Sequence, residues 1–311
     1  MKFILLMLLL CSCQFTKSEY IASPTHNQQS IHTVEPVNFD IEVLQEKHLN
    51  DGHYRRLSIK AHNNLILKSD RFIKIRLFIH NKGRRPLLLV QPISRGSYHI
   101  STFVAKSFFK RGWNTMIVER EDRYKKLYDP EKINLQMKET ILDSRQIIDW
   151  LYYQRNFSIS HLAIFGISKG GIKASLIMGD DSRVEAGIIA LAGGDLPSIL
   201  SESNEKGVSR VRNHYIKDQK VSVKKFKETL QEQFTVDPLL SAKNIDGRKT
   251  LHILAYFDTS VPYRYGRRLY DAMPGASLYT LTAGHYSAIL YLPFILNRSE
   301  AFLNIKLGLD N

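Results

Sequence analysis

The sequence predicts an α/β protein built on a doubly wound, mostly parallel sheet. Short apolar runs, typical of strands that are covered on both faces, alternate along the chain with longer segments of helical periodicity. A glycine-containing turn joins one of these runs to the helix that follows it. Alternating strands and helices imply parallel strands with right-handed crossovers, and sites in such sheets form at the carboxyl ends of the strands.

The chain is predicted to enter this sheet through an antiparallel pair of strands at 56–61 and 72–80, the second of which alternates apolar and basic residues. The remaining strands are predicted at 87–90, 113–118, 162–165, 186–191, 251–255 and 277–281. Amphipathic helices are predicted between them, at 98–110, 132–154, 169–178, 263–272 and 287–297.

Size and charge limit the function only weakly. The 311 residues, of which 43% are hydrophobic, can fill the core of one large domain. The formal net charge of +14 comes from short, scattered basic clusters, without an arginine-rich arm and without a zinc or RNA-binding signature. We therefore expect no nucleic-acid partner, whereas a solvated basic surface and attraction to anionic lipid both stay open.

The N-terminus has the pattern of an export signal. One lysine precedes a short apolar run, which is too short to span a bilayer. The segment from Leu10 to Cys13 resembles the lipobox of bacterial lipoproteins, in which the last cysteine carries a diacylglycerol. The resemblance implies a signal peptide at 1–12, lipidation of Cys13 and a membrane partner reached through that lipid anchor.

A polar stretch with two prolines follows the cysteine and predicts a flexible tether at 13–38, ahead of a folded domain at 39–311. These features imply a lipid-anchored protein of the cell envelope. In a diderm source, Gln14 after the cysteine resembles the pattern that sorts lipoproteins to the outer membrane. Both cysteines of the chain, Cys11 and Cys13, lie in the N-terminal segment, so the domain is expected to depend on its core for stability.

The most informative motif is Gly-Ile-Ser-Lys-Gly at 166–170, a G-x-S-x-G sequence between a predicted strand and a predicted helix. A nucleophile elbow needs this context, because the serine is held on a tight turn and the helix directs free N–H groups at developing negative charge. A phosphate-binding loop is the alternative, but it requires Gly-Lys-Ser/Thr, whereas Gly171 is followed by Ile172 and Lys173. We therefore predict Ser168 as a nucleophile.

A serine hydroxyl needs a base that accepts its proton and a carboxylate that orients the base. Asp258 and His285 each follow a predicted strand, in the order Ser, Asp, His that hydrolases of this kind use. Asp237, Asp246 and Asp271 are the alternative acids, but they lie before a strand or within a helix and are expected to face solvent or cap helices. The remaining histidines show no metal-binding spacing, and we expect no metal and no cofactor.

The three motifs together resemble the α/β-hydrolase superfamily, in particular its esterases and lipases. The resemblance implies the α/β-hydrolase fold with a small helical lid insertion. The segment 195–245, which we call the lid segment, is too long for a simple crossover and is expected to be either this partial lid over Ser168 or one surface helix with a loop. The resemblance also implies an oxyanion hole, whose first donor is the backbone N–H of Lys169. Because Pro92 has no N–H, Ile93 is the expected second donor and Ser94 the reserve.

The function implied by the resemblance is hydrolysis of carboxylic esters of small molecules through an acyl-enzyme intermediate. A serine peptidase related to prolyl oligopeptidase and a non-catalytic binding lipoprotein are the alternatives. The lid segment is expected to set substrate choice, and its many lysines suggest a preference for anionic acyl groups.

Overall fold

The computed structural model describes residues 39–94, 97–121, 123–124, 127–153 and 159–309. The predicted signal peptide, the lipidation site Cys13 and the tether lie outside the described residues. The strands are β1 Ile41–Leu49, β2 Gly52–Lys60, β3 Phe72–His80, β4 Arg85–Gln91, β5 Asn114–Val118, β6 Ile159–Ile167, β7 Ala186–Ala190, β8 Thr250–Ala255 and β9 Ser277–Leu281.

The helices run between and after these strands. They are α1 His99–Lys110, α2 Pro130–Tyr153, α3 Lys169–Asp180, α4 Leu196–Glu202, α5 Lys206–Gln219, α6 Val223–Gln233, α7 Pro238–Ala242, α8 Tyr263–Asp271 and α9 Leu292–Leu307. Short 3-10 turns at Gly247–Lys249 and Ser287–Tyr291 precede β8 and α9.

All nine strands form one sheet in the order β1-β2-β3-β5-β4-β6-β7-β8-β9. The pairs β1–β2, β2–β3 and β3–β5 are antiparallel, and every pair from β5–β4 to β8–β9 is parallel. The antiparallel entry and the doubly wound, mostly parallel sheet are therefore as the sequence predicts. The strand order reverses around β4, and parallel sheets of this kind place their sites at the carboxyl ends of the strands.

Two apolar clusters cover the two faces of the sheet. Residues of α2, α3, α4, α6 and α8 pack on one face, and residues of α1 and α9 pack on the other. The central strands are buried on both faces, which is why Leu87, Leu88 and Leu89 of β4 are all fully buried. This arrangement fixes the carboxyl ends of β4, β6 and β8 on one rigid edge.

The structure differs from the predicted elements in three places. Strand β1 has no counterpart among the predicted strands, and its residues are mostly exposed because the strand lies at the sheet edge and pairs only with β2. The final helix was predicted at 287–297, but it begins with a 3-10 turn and continues to Leu307, where Gly308 in the left-handed conformation ends it. The lid segment contains four helices, α4 to α7. On α6, Phe226 and Leu230 are fully buried, whereas Val223 is exposed.

Candidate active site

Ser168 lies on a tight turn at the carboxyl end of β6, where α3 begins at the next residue. Its backbone has φ 57° and ψ −127°, a conformation that an L-residue rarely adopts and that strains the chain. The Ser168 N–H donates to the carbonyl of Ala190 at 2.8 Å, and the Ser168 carbonyl accepts from Gly171 and Ile172. These bonds on both sides of the residue hold the strained turn in place.

Two glycines allow the turn to close. A Cβ on Gly166 would lie 2.1 Å from the carbonyl oxygen of Gly170, and a Cβ on Gly170 would lie 2.3 Å from the carbonyl oxygen of Gln91. Neither backbone atom can move far, so both positions require glycine. The G-x-S-x-G pattern therefore reflects close backbone approaches on either side of the serine.

The structure brings Ser168, His285 and Asp258 together, although Ser168 and His285 are 117 residues apart in sequence. His285 Nε2 lies 2.9 Å from Ser168 Oγ, and His285 Nδ1 lies 2.6 Å from Asp258 Oδ2. Because an ionised carboxylate only accepts, Nδ1 carries the proton in this arrangement, which leaves the Nε2 lone pair to accept from the serine hydroxyl.

Asp258 is fixed in turn by its own loop. Its Oδ1 accepts the backbone N–H groups of Ser260 and Val261, both at 2.8 Å, while its Oδ2 faces the histidine. The carboxylate is almost fully buried, with 2% of the side chain exposed against 10% for His285. The loop after β8 therefore determines which oxygen faces the imidazole.

The alternative acids lie in structural roles. Asp237 is buried and accepts backbone N–H groups from Asp195, Leu196 and Leu239, which caps α7. Burial raises the pKa of the Asp237 carboxyl. Asp246 and Asp271 instead pair with neighbouring arginines at the surface.

The other described histidines lie in separate parts of the fold. No group of three or more potential metal ligands occurs within the described ranges. His161 Nδ1 lies 2.8 Å from Glu185 Oε2, and the His214 ring is tilted against that of Tyr128, with 4.1 Å between the ring centres. His252 is fully buried in β8, where loss of solvation lowers its pKa to about 3, so it stays neutral.

The predicted oxyanion donors lie beside the serine. Lys169 is the first residue of α3, so its backbone N–H has no acceptor within the helix. The loop after β4 starts next to the turn that holds Ser168, since the carbonyl of Gln91, the last residue of β4, contacts Gly170. Ile93 and Ser94 line the same cavity as Ser168, and the Ile93 carbonyl accepts from Arg120 Nη1 at 2.7 Å. The donor roles of Lys169 and Ile93 stay predictions.

A cavity of about 780 Å³ opens beside Ser168. The lid segment forms one wall, through apolar residues of α4 and α5 such as Ile199, Leu200 and Val211. The lysines of the lid segment do not line this cavity, and most of them are exposed to solvent. The lid segment thus borders the cavity, and the cation that it contributes to the cavity lining is Arg210 of α5, not a lysine.

The opposite wall carries charged residues that sequence reasoning missed. Lys169 and Lys173 project from α3, and burial lowers the pKa of Lys169 to about 8 and of Lys173 to about 7. Arg71 forms a two-pronged salt bridge with Asp143, with N–O distances of 2.6 and 2.7 Å. The spacing of Lys173, four residues after Lys169, was the one sequence signal that could have pointed to this wall.

Several solved structures similar to this one are esterases. An acetyl xylan esterase from Paenibacillus sp. R4 superposes with a TM-score of 0.67 at 17% identity, over 87% of this chain and 89% of that one. Acetyl xylan esterase 1 from Thermoanaerobacterium sp. JW/SL YS485 gives 0.64 at 14% identity, over 84% and 88%.

An esterase from Pyrococcus furiosus gives a TM-score of 0.58 at 16% identity, over 83% of this chain and 94% of that one. No family model matches the sequence, and no curated protein is similar to it in sequence. At identities this low the likeness establishes the fold alone, and the chain has the α/β-hydrolase fold.

Proposed function

We propose that this protein is a serine hydrolase that cleaves carboxylic esters of small molecules. The observation that carries the proposal is the chain of hydrogen bonds from Ser168 through His285 to Asp258, set on a strained turn at the mouth of a cavity. This combination of nucleophile, base and orienting carboxylate is what acyl transfer requires. The structural likeness to esterases supports the same reaction class.

In the proposed cycle, His285 removes the Ser168 proton as the oxygen attacks the ester carbonyl. Asp258 holds the imidazole ring and stabilises its positive charge. His285 then gives the proton to the leaving alcohol, which leaves an acyl group on the serine. Water attacks that acyl-enzyme with His285 again as base, and the carboxylic acid is released.

The backbone N–H of Lys169 and that of Ile93 are proposed to stabilise the negative oxygen of the tetrahedral intermediate. Each such donor is typically worth about 3 kcal/mol in the transition state. The N-terminal end of α3 adds a favourable dipole at the same place. The protein needs no cofactor for this cycle.

Hydrolysis of a matched ester and amide tests the proposal. We expect turnover of ethyl acetate or phenyl acetate, little turnover of the corresponding amides, and loss of turnover in Ser168→Ala. Preferential cleavage of the amides would favour the peptidase alternative. Absence of any turnover in a folded protein would favour the binding lipoprotein.

We also propose that the protein is held on a membrane through a lipid on Cys13, which rests on the sequence pattern alone. In the described residues no helix is long and apolar enough to cross a membrane. Metabolic labelling with palmitate in a bacterial host tests the proposal: the label should appear in the wild type and be lost in Cys13→Ser. A wild type that stays unlabelled would contradict it.

A further inference from the structure

Lys169 and Lys173 form a pair of cations on one side of α3, and both line the cavity that contains Ser168. Lys173 starts about 7.5 Å along the helix axis from Ser168. Lys169 and Lys173 are four residues apart, which places them on the same face of α3. The pair therefore lies within reach of a substrate whose carbonyl is at Ser168.

The two ammonium groups have few partners. Lys169 Nζ lies 3.1 Å from the amide oxygen of Gln136, which carries no charge. Within the described ranges, the Lys173 ammonium group makes no hydrogen bond or ion pair. The side chain is partly buried in the cavity wall, and an ammonium group that loses hydration without gaining a partner is unfavourable. A bound anion would supply the missing partner.

The acidic residues of the cavity are already engaged elsewhere. Each accepts hydrogen bonds from arginine, tyrosine or backbone N–H groups. Asp143 is the acid that acts on Lys173 through charge, yet both of its oxygens are bound by Arg71. The described acids are Glu119, Glu121, Glu139, Asp143 and Glu205.

Arg120 adds a further cation to the same cavity. Its guanidinium donates to the Ile93 carbonyl, and it lies 4.7 Å from the centre of the Tyr98 ring. Its positive charge acts on both lysines and disfavours their protonation. Lys169, Lys173 and Arg120 thus line a cavity whose described carboxylates all have other hydrogen-bond partners, and Arg71 and the lid residue Arg210 line it as well.

We infer that the cavity binds esters that carry a carboxylate some distance from the scissile bond, with Lys173 and Lys169 as the groups that recognise it. The inference rests on the proposed function, because it names the substrate class of the same site. An anionic group between the two lysines would restore the interactions that Lys173 lacks. An uncharged acyl or alkyl chain would leave that ammonium group desolvated.

Matched pairs of esters test this inference at pH 6, about one unit below the pKa of Lys173, where most of the Lys173 side chains are protonated. Monoethyl adipate and ethyl hexanoate differ by a carboxylate on the acyl side, and 4-acetoxybutanoate and butyl acetate differ by one on the alcohol side. We expect the charged member of at least one pair to have the higher kcat/KM. Lys173→Met should lower the charged-to-neutral ratio of kcat/KM about ten-fold or more, and Lys173→Arg should retain much of it.

Lys138→Met is the matched control, since Lys138 is an exposed residue of α2 that does not line the cavity. It removes the same charge and should leave the ratio unchanged. An unchanged ratio in Lys173→Met, in both pairs of esters, would overturn the inference while the proposed function stands.

A binding measurement separates failure of the inference from failure of the proposed function. Calorimetric titration of Ser168→Ala with adipate or 4-acetoxybutanoate should show saturable binding that the further change Lys173→Met weakens about ten-fold or more. If no ester is hydrolysed but this binding is seen, the proposed function fails and the anion site stands. Absence of both would overturn both.

Discussion

The backbone of Gly170 packs closely against Gln91, the last residue of β4. A Cβ on Gly170 would lie 2.3 Å from the carbonyl oxygen of Gln91. This contact joins the strand that leads to the predicted oxyanion loop with the first turn of α3. The serine turn and that loop are therefore one packed unit, and the spacing between the two predicted donors depends on a residue without a side chain.

Gly170→Ala should accordingly destabilise the protein and lower its activity. We expect a loss of about 2 kcal/mol or more in the free energy of unfolding, because backbone must shift to relieve the clash. Gly284→Ala is the control, since a Cβ there would meet its nearest atom at 3.4 Å, an ordinary contact. Denaturant unfolding of both variants measures the difference, and equal stability would show that the contact can relax.

Asp258→Asn should keep the fold and remove most of the activity. Asparagine retains an oxygen for the N–H groups of Ser260 and Val261 but places an amide against His285, which favours the wrong tautomer. In the Ser-His-Asp proteases the same change lowers kcat about 10⁴-fold, and we expect a loss of about 10³ to 10⁴ here.

The control for this variant is Asp246→Asn. Like Asp258, Asp246 accepts a backbone N–H, but it lies at the surface, where it pairs with an arginine. Its kcat should stay near that of the wild type. If Asp258→Asn keeps full activity with an unchanged thermal midpoint, another residue orients the base.

Arg71→Met should destabilise the protein strongly. The side chain is 2% exposed and binds both oxygens of Asp143, so its removal leaves that buried carboxylate without its partner. Breaking a buried ion pair in this way costs about 3–5 kcal/mol. Arg267→Met, which breaks an exposed pair with Asp271, should cost less than about 1 kcal/mol. Similar losses in the two variants would contradict the packing described for this wall.

Lys173 should make stability depend on pH in a defined direction. Its pKa falls from 10.5 to about 7 on folding because burial, followed by the positive charges of Lys169 and Arg120, opposes protonation more than Asp143 favours it. Between pH 7 and 10.5 the unfolded chain binds the proton that the folded chain has lost, so this contribution raises stability as pH rises. Below pH 7 both states are protonated and the full penalty applies.

Lys173→Met removes that penalty. The variant should be more stable than the wild type at pH 6, by roughly 1–4 kcal/mol, and the difference should shrink toward pH 10. Thermal or denaturant unfolding at the two pH values measures it, with Lys138→Met as the exposed control. A variant that is less stable than the wild type at pH 6 would show that Lys173 is paired in the folded protein.

The sequence predicted those features that depend on local pattern. The turn at Ser168 follows from glycines at fixed spacing between an apolar run and a helix, and the placement of Asp258 and His285 follows from strands that end on the same edge. The apolar runs of the central strands likewise marked a sheet covered on both faces.

Features that depend on distant packing could not be predicted in this way. Lys173 is one lysine among many, and it becomes distinctive only because α2, α4 and α5 enclose the space around it. Strand β1 lies at the sheet edge, where most of its residues, including the apolar Val43, are exposed. Its sequence therefore lacks the alternation of apolar and polar residues that predicts a strand. The lysines of the lid segment were expected to face the substrate, but Arg210 is the basic lid residue that lines the cavity, and which side chains face it depends on how the lid helices dock.

Covalent labelling identifies the nucleophile of the site. Incubation with a fluorophosphonate should add one adduct to the intact protein, and peptide mapping should place it on Ser168, with labelling slowed by Asp258→Asn and abolished in Ser168→Ala. A folded protein that takes no label, or takes it on a different residue, would show that Ser168 is not an activated nucleophile.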